Sequence, residues 1–248
     1  MKTTKLIALA CLITLSLQGF AQDEKEKDKR KRNYGTHNSF NIDLGINNVL
    51  EDGQSPDESN ALYAVKPWGS WYVALKSTND THVGGPLHLL WGADVSWYNF
   101  KFQDESVRLT EGDNQVEFSQ SFGEFSPIKS KLTAAYINLS FVPMLQFGED
   151  DRHRSHWHDW NDNSGFRIGV GGYGGYKIAS YTKVVVEQSG DKEKNKDHDG
   201  FFLNNWRYGI RLQAGYRGMD IFVNYDVSDL FAEGRGPELN AFSFGVVL

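Results

Sequence analysis

The C-terminal stretch Ala241-Phe242-Ser243-Phe244-Gly245-Val246-Val247-Leu248 decides the fold. Successive side chains of an extended strand point to opposite faces. Phe242, Phe244, Val246 and Leu248 therefore share one face, and Ala241, Ser243, Gly245 and Val247 share the other. In a soluble protein such an apolar final strand is an edge that invites aggregation. The same pattern suits the closing strand of a membrane β-barrel, whose outer face meets lipid and whose inner face meets a small, polar lumen.

Working upstream, seven further segments alternate in the same way, separated by polar stretches rich in Gly, Asp and Asn. They are expected near 39–46, 69–76, 87–102, 131–147, 166–180, 206–217 and 219–227. The sixth is the clearest: Trp206, Tyr208, Ile210, Leu212, Ala214 and Tyr216 alternate with Arg207, Gly209, Arg211, Gln213, Gly215 and Arg217. The expectation is an all-β, eight-stranded antiparallel up-and-down transmembrane β-barrel over residues 38–248.

A soluble barrel also alternates, with its apolar face turned inward. Three features favour the inverted arrangement. Glycines fall on the polar face, at Gly92, Gly169, Gly171, Gly175, Gly209, Gly215 and Gly245, where a narrow eight-stranded lumen needs small residues. Aromatic residues gather toward strand ends, as interfacial girdles do: Trp71, Trp91, Trp97, Trp206, Tyr208, Tyr216 and Tyr225, with Trp68 beside them. Long polar stretches follow the first, third and fifth strands, near 47–66, 103–128 and 182–203, whereas short ones follow the second and sixth. Membrane barrels pair long external loops with short periplasmic turns in this way.

This orientation turns charge inward. Arg207, Arg211 and Arg217 are expected to face Asp220, Asn224 and Asp226, with Asp43, Asp94, Arg167 and Lys177 pointing the same way. Buried charges must be paired or hydrated, so the expected lumen is an ion-paired plug rather than an open channel. The segment 188–199, mixed in charge, reads as a solvated loop.

At the other end, Lys2 and Lys5 precede an apolar run over 6–17 and the small-residue site Gly19-Phe20-Ala21, the pattern of a cleaved signal peptide over 1–21. The single cysteine, Cys11, lies inside that run and fits a lipoprotein signal poorly. The expected mature chain therefore has no disulfide. Residues 22–37, including the charged run DEKEKDKRKR at 23–32, read as a solvated periplasmic linker. Aromatic content is 14% with 25 glycines and 6 prolines. The mean hydropathy of −0.51 is no objection to a barrel, whose strands are only half apolar. A net charge of −6 argues against a nucleic-acid partner.

The segments Tyr136-Ile137-Asn138-Leu139-Ser140-Phe141-Val142-Pro143-Met144-Leu145 and Gly165-Phe166-Arg167-Ile168-Gly169-Val170-Gly171-Gly172-Tyr173-Gly174-Gly175-Tyr176 resemble the paired central strands of PorT-type, OmpX-like outer-membrane β-barrels of Bacteroidota. Residues 207–230, ending Tyr225-Asp226-Val227-Ser228-Asp229-Leu230, are similar to that family's penultimate hairpin. The resemblance implies an outer-membrane location, contact with outer-membrane lipid and delivery by the barrel-assembly machinery. It implies no particular activity. The chain departs from the pattern at Leu248, where an aromatic is commoner, and at 148–164, which is long for a periplasmic turn.

That long turn holds His153, His156 and His158, interleaved with Arg152 and Arg154. Imidazoles and nearby carboxylates can hold Zn²⁺ or Cu²⁺, but the spacing matches no standard site and the arginines repel a cation, so a hydrated polar turn is expected. Some small barrels modify lipids with a Ser/His pair at the rim. His88 with Ser96, or His156 with Ser155, are the pairs on offer, and neither has a nucleophile motif. No Walker loop, dinucleotide fingerprint or zinc-protease signature is present, and no cofactor is expected. The leading expectation is a non-enzymatic envelope barrel whose long loops meet a protein partner. A lipid-modifying enzyme, a secreted barrel binding a small apolar ligand and a small-solute channel are the alternatives.

Overall fold

The computed structural model describes residues 35–57, 59–120, 126–147, 165–188, 191–216 and 218–248. The proposed signal segment, most of the linker, Arg217 and the histidines 153, 156 and 158 lie outside these residues.

Eleven strands follow in chain order: β1 (Thr36–Leu50), β2 (Trp71–Gly84), β3 (Leu87–Lys101), β4 (Val107–Glu111), β5 (Val116–Gln120), β6 (Ser126–Gln146), β7 (Phe166–Gln188), β8 (Asp191–Asp197), β9 (Trp206–Tyr216), β10 (Met219–Asp229) and β11 (Asn240–Val247). Eight of them form one antiparallel wall in the order β1-β2-β3-β6-β7-β9-β10-β11, closed by pairing of β11 with β1. Gly45 faces Gly245 across that seam. The protein is an all-β up-and-down barrel, and closure leaves no free edge in the ring.

The barrel is inverted relative to a soluble one. On β9, Trp206 is 66% exposed and Ile210 50%, whereas Arg207 is 4% and Arg211 2% exposed. Outward apolar residues continue around the wall, through Leu44, Leu75, Trp91, Ile137, Leu139, Val170, Ile221 and Phe244. Apolar-out and polar-in is the architecture of a transmembrane β-barrel.

One end carries tight turns. Tyr216 pairs with Met219, and Gly218 just before Met219 takes φ 79°, a region glycine enters without steric cost. The other end carries the connections after β1, β3, β7 and β10. Here two expectations are corrected. The stretch 103–128 contains the hairpin β4–β5, because Val107 and Leu109 alternate toward Val116 across a polar turn. The stretch 188–199 is not a loop: β8 pairs with the last third of β7 from Thr182 to Gln188, although every residue of β8 is exposed. Lys177, expected to point inward, stands in register with the inward Tyr136 near this end and donates to the Leu203 carbonyl at 2.7 Å.

Candidate functional site: a charged lumen under an aromatic cap

Two layers fill the barrel. The layer nearer the turns and through the middle is charged. Four carboxylates, Asp43, Asp94, Asp220 and Asp226, share it with Lys76, Arg167, Arg207 and Arg211, and all but Arg167 are buried. A low-dielectric interior tolerates such charges only when they are paired and hydrogen-bonded.

Arg211 donates from Nη1 to Asp43 Oδ2 at 2.8 Å and to Asn224 Oδ1 at 3.3 Å, and from Nε to Gln213 Oε1 at 3.0 Å. Lys76 Nζ approaches the same Asp43 oxygen at 3.8 Å. Arg167 lies 2.5 Å from Asp220 Oδ1, and Gln213 Nε2 donates to the other oxygen at 2.6 Å. Arg207 donates to Asp226 Oδ1 at 2.7 Å and to the Tyr98 hydroxyl. Its guanidinium also lies against three rings, with centroids of Tyr98, Tyr173 and Tyr136 at 4.3, 4.8 and 5.1 Å. Cation–π contacts of this kind strengthen when desolvated. Asp94 accepts from Asn138 Nδ2 at 2.6 Å, and Asn138 also reaches Ser96 Oγ at 2.9 Å.

Of the expected network, Arg207, Arg211, Asp220, Asp226, Asp43, Asp94 and Arg167 therefore meet inside one lumen. The partners differ from simple β9-to-β10 pairing. Among the described arginines of β9, Arg207 alone bonds a β10 carboxylate; Arg211 crosses to β1, and Asp220 is claimed from β7. Lys76 was missed because the second strand was expected to end there. Its alternation with Leu75 was the signal. Glycines make the room: a Cβ on Gly215 would overlap Asp220 Oδ1 and lie 2.6 Å from Arg167 Nε, and one on Gly209 would lie 2.5 Å from the Tyr173 hydroxyl.

The layer nearer the long connections is apolar. Tyr72, Tyr98, Phe100 and Leu132 project inward and merge with Phe102, Val107, Leu109, Val116, Phe201, Leu203, Leu230, Phe231 and Leu239 from the connections above, while Phe222 lies nearer the turns, its ring against the Arg211 guanidinium. Hydrogen bonds tie these connections to one another and to β6. Val116 N donates to Arg235 O at 2.8 Å, Phe201 N to Glu111 Oε2 at 2.7 Å, and Ser130 Oγ to Val107 O at 2.6 Å. Short bridges join Val65 to Phe102 and Leu203 to Phe231. The mouth is closed by a folded cap, so the lumen is not polar throughout as expected.

Among the expected interfacial aromatics, Trp71, Trp97, Trp206, Tyr208 and Tyr225 stand on the outer wall toward the capped end. Tyr216 stands at the turn end, and Trp91 lies lower on β3, where its indole donates to Thr81 Oγ1 at 3.1 Å.

No catalytic pair forms among the described candidates. His88 Nδ1 is 2.8 Å from Asp80 Oδ1, and its ring stacks on His82 at 4.8 Å. Ser96 lies eight residues along the same strand, roughly 26 Å away, and is engaged by Asn138 and Arg207. Among the described residues no group of three or more His, Cys, Asp or Glu side chains is arranged to hold a metal.

The closed wall, its apolar exterior and its paired, capped interior define the class: an eight-stranded barrel of the membrane-spanning type. No protein-family model matches the chain, and no curated protein matches it. Among solved structures it is similar to Ail, the attachment invasion locus protein of Yersinia pestis, in complex with the heparin analogue sucrose octasulfate. The match is 15% identical, with a TM-score of 0.32, and covers 86% of this chain and 95% of that one.

Proposed function

We propose that this chain is an integral outer-membrane β-barrel that works without catalysis, as a structural or binding component of the cell envelope. In this reading residues 1–21 direct export, 22–37 form a periplasmic linker, and the barrel-assembly machinery inserts the barrel. The PorT-type, OmpX-like affiliation within Bacteroidota belongs to the same proposal. It is supported by β6 and β7, which carry the two resembling segments and pair along most of their length.

The observation that carries the proposal is the orientation of β9, with Trp206, Tyr208, Ile210 and Leu212 outward and Arg207 and Arg211 inward. An apolar surface of that extent in water is an aggregation hazard, and in lipid it is the stabilising contact. The cap is the part available to partners, because connections on a rigid scaffold carry recognition.

The test is fractionation of cells expressing the full chain. The proposal predicts recovery with outer membranes after sarkosyl extraction and a folded band that shifts on a gel after boiling. Recovery in the periplasm or medium would favour the secreted ligand-binding barrel instead.

A further inference from the structure

Just beyond the aromatic belt at the capped end, the outer wall carries a ladder of like charge. Lys101 on β3 lies in register with Lys131 on β6, Lys131 with Lys183 on β7, and Lys183 with Lys196 on β8. Directly opposed residues of neighbouring antiparallel strands share a face, and strands stand about 4.8 Å apart. Four ammonium groups therefore form one row across four strands. The next row outward adds Lys129 and Lys194 on either side of Val185.

Like charges placed directly opposite weaken a sheet, and the carboxylate on this face of β7, Glu187, stands in register with Lys192 rather than with the ladder. Lys101 has Glu105 at 3.0 Å. Among the described residues, Lys129, Lys131, Lys183, Lys194 and Lys196 have no carboxylate within ion-pair distance. Strand β8 shows how the sorting arises. Its sequence Asp-Lys-Glu-Lys-Asn-Lys-Asp puts Lys192, Lys194 and Lys196 on one face and Asp191, Glu193 and Asp197 on the other.

The face is the outer one. Its neighbours in the row below are Asn99, Thr133 and Tyr181, and below those come Trp97, Ala135 and Ala179 on the apolar wall. Lys131 Nζ donates to Asn99 Oδ1 at 2.6 Å, and the Lys131 and Lys196 ammonium groups lie 5.9 and 5.2 Å from the Tyr181 ring centre. Apolar belt, aromatic ring, then cations is the order in which a bilayer presents acyl chains, interface and headgroups.

We propose that the ladder Lys131–Lys183–Lys196, flanked by Lys129 and Lys194, clamps phosphate groups of lipids in the leaflet surrounding the capped rim. The inference rests on the membrane-spanning reading and adds to it a headgroup chemistry and a location. Phosphate supplies the negative charge the ladder lacks, and continuity with the apolar wall selects a lipid over a soluble anion.

The test uses the purified full chain in detergent micelles, offered phosphatidic acid and phosphatidylcholine in equal amounts, with retained lipids counted by native mass spectrometry. The wild type is expected to retain phosphatidic acid over phosphatidylcholine by about tenfold or more, since each lysine near a phosphate surface contributes several-fold. Combined Lys131→Gln, Lys183→Gln and Lys196→Gln should abolish the preference, while Lys192→Gln should keep it. If the triple variant lacks the boiling-sensitive folded band, Lys183→Gln with Lys196→Gln, both on the exposed β7–β8 extension, replaces it. Equal retention of the two lipids by the wild type, unchanged preference in the folded variant, or full competition by inorganic phosphate at equal concentration would each overturn the proposal. A chain that inserts into phosphatidylcholine bilayers yet shows no preference contradicts this inference alone. A chain that never inserts contradicts the membrane reading beneath it.

Discussion

Arg211 on β9 reaches across the lumen to Asp43 on β1, Nη1 to Oδ2 at 2.8 Å, although β10 and β11 stand between them along the wall. The pair braces the barrel through its interior, close to the seam where the first and last strands meet. Because both groups are buried, removing one leaves the other charged and uncompensated. Asp43→Ala is therefore expected to cost about 3–5 kcal/mol of stability. Adding Arg211→Met should recover part of that loss, with buried Lys76 still lacking its Asp43 partner. Urea titration followed by the gel shift between folded and unfolded bands measures both, and a neutral Asp43→Ala would contradict the bracing role.

Gly215 marks the tightest point of the same layer. An added methyl group would overlap Asp220 and press on Arg167, so Gly215→Ala forces wall or ion pair to move. The expected cost is about 1–3 kcal/mol, read by the same titration. Gly234, with open space around it but φ 68°, is a control for backbone conformation alone.

The cap has its own pH signature. The Tyr63 hydroxyl donates to both Glu51 oxygens, at 2.7 and 2.9 Å. Burial first, and that hydrogen bond second, push the phenol from its ordinary 10.0 up to about 12. The folded cap thus favours the protonated phenol. Its contribution is intact below pH 10.0 and disappears as pH rises through about 12. Phenolate absorbance should show one late-titrating tyrosine missing from Tyr63→Phe, and an unchanged titration in that variant would refute the assignment.

The apolar layer of Tyr98, Phe100 and Leu132 beneath the cap predicts silence in planar bilayers. The full chain should give no stable single-channel steps. Steady openings from the wild type would contradict a closed mouth and revive the channel alternative.

The face pattern of β9 was legible because Trp206, Ile210 and Leu212 alternate without interruption with Arg207, Arg211 and Gln213, and a strand's period of 2 leaves no other arrangement. The pairing of Arg211 with Asp43 was not legible, since it depends on how far the wall is staggered when β11 closes onto β1, and that stagger is a property of the whole ring. Phe100 sits at an inward position where a purely polar lumen was expected. It belongs there because the cap extends the hydrophobic core into the barrel. The alternation Asp-Lys-Glu-Lys-Asn-Lys-Asp of β8 was present in the chain, but a net mixture of charge masks a period-2 separation of charge when composition alone is read. Residues 1–34 and 148–164, which hold the expected export segment and the histidine-rich stretch, lie outside the described structure.

A substitution on the outer wall separates lipid from water directly. Leu139, 70% exposed on β6, should tolerate arginine within about ±0.5 kcal/mol if it faces water. If it faces acyl chains near the midplane, Leu139→Arg should cost about 2–4 kcal/mol. Unfolding measured in bilayers gives the answer, with Leu139→Ala as the reference.

The wall turns its apolar side chains outward to lipid and its charges into the lumen, and spin labels placed singly at Leu139, Ile210 and Asn224 in bilayer-reconstituted protein distinguish this from the reverse. The labels at Leu139 and Ile210 should be relaxed by oxygen dissolved in the acyl chains and shielded from a water-soluble nickel reagent, with the label at Asn224 shielded from acyl-chain oxygen. Labels at 139 and 210 that respond to nickel and ignore oxygen would mean that this wall faces water, not lipid.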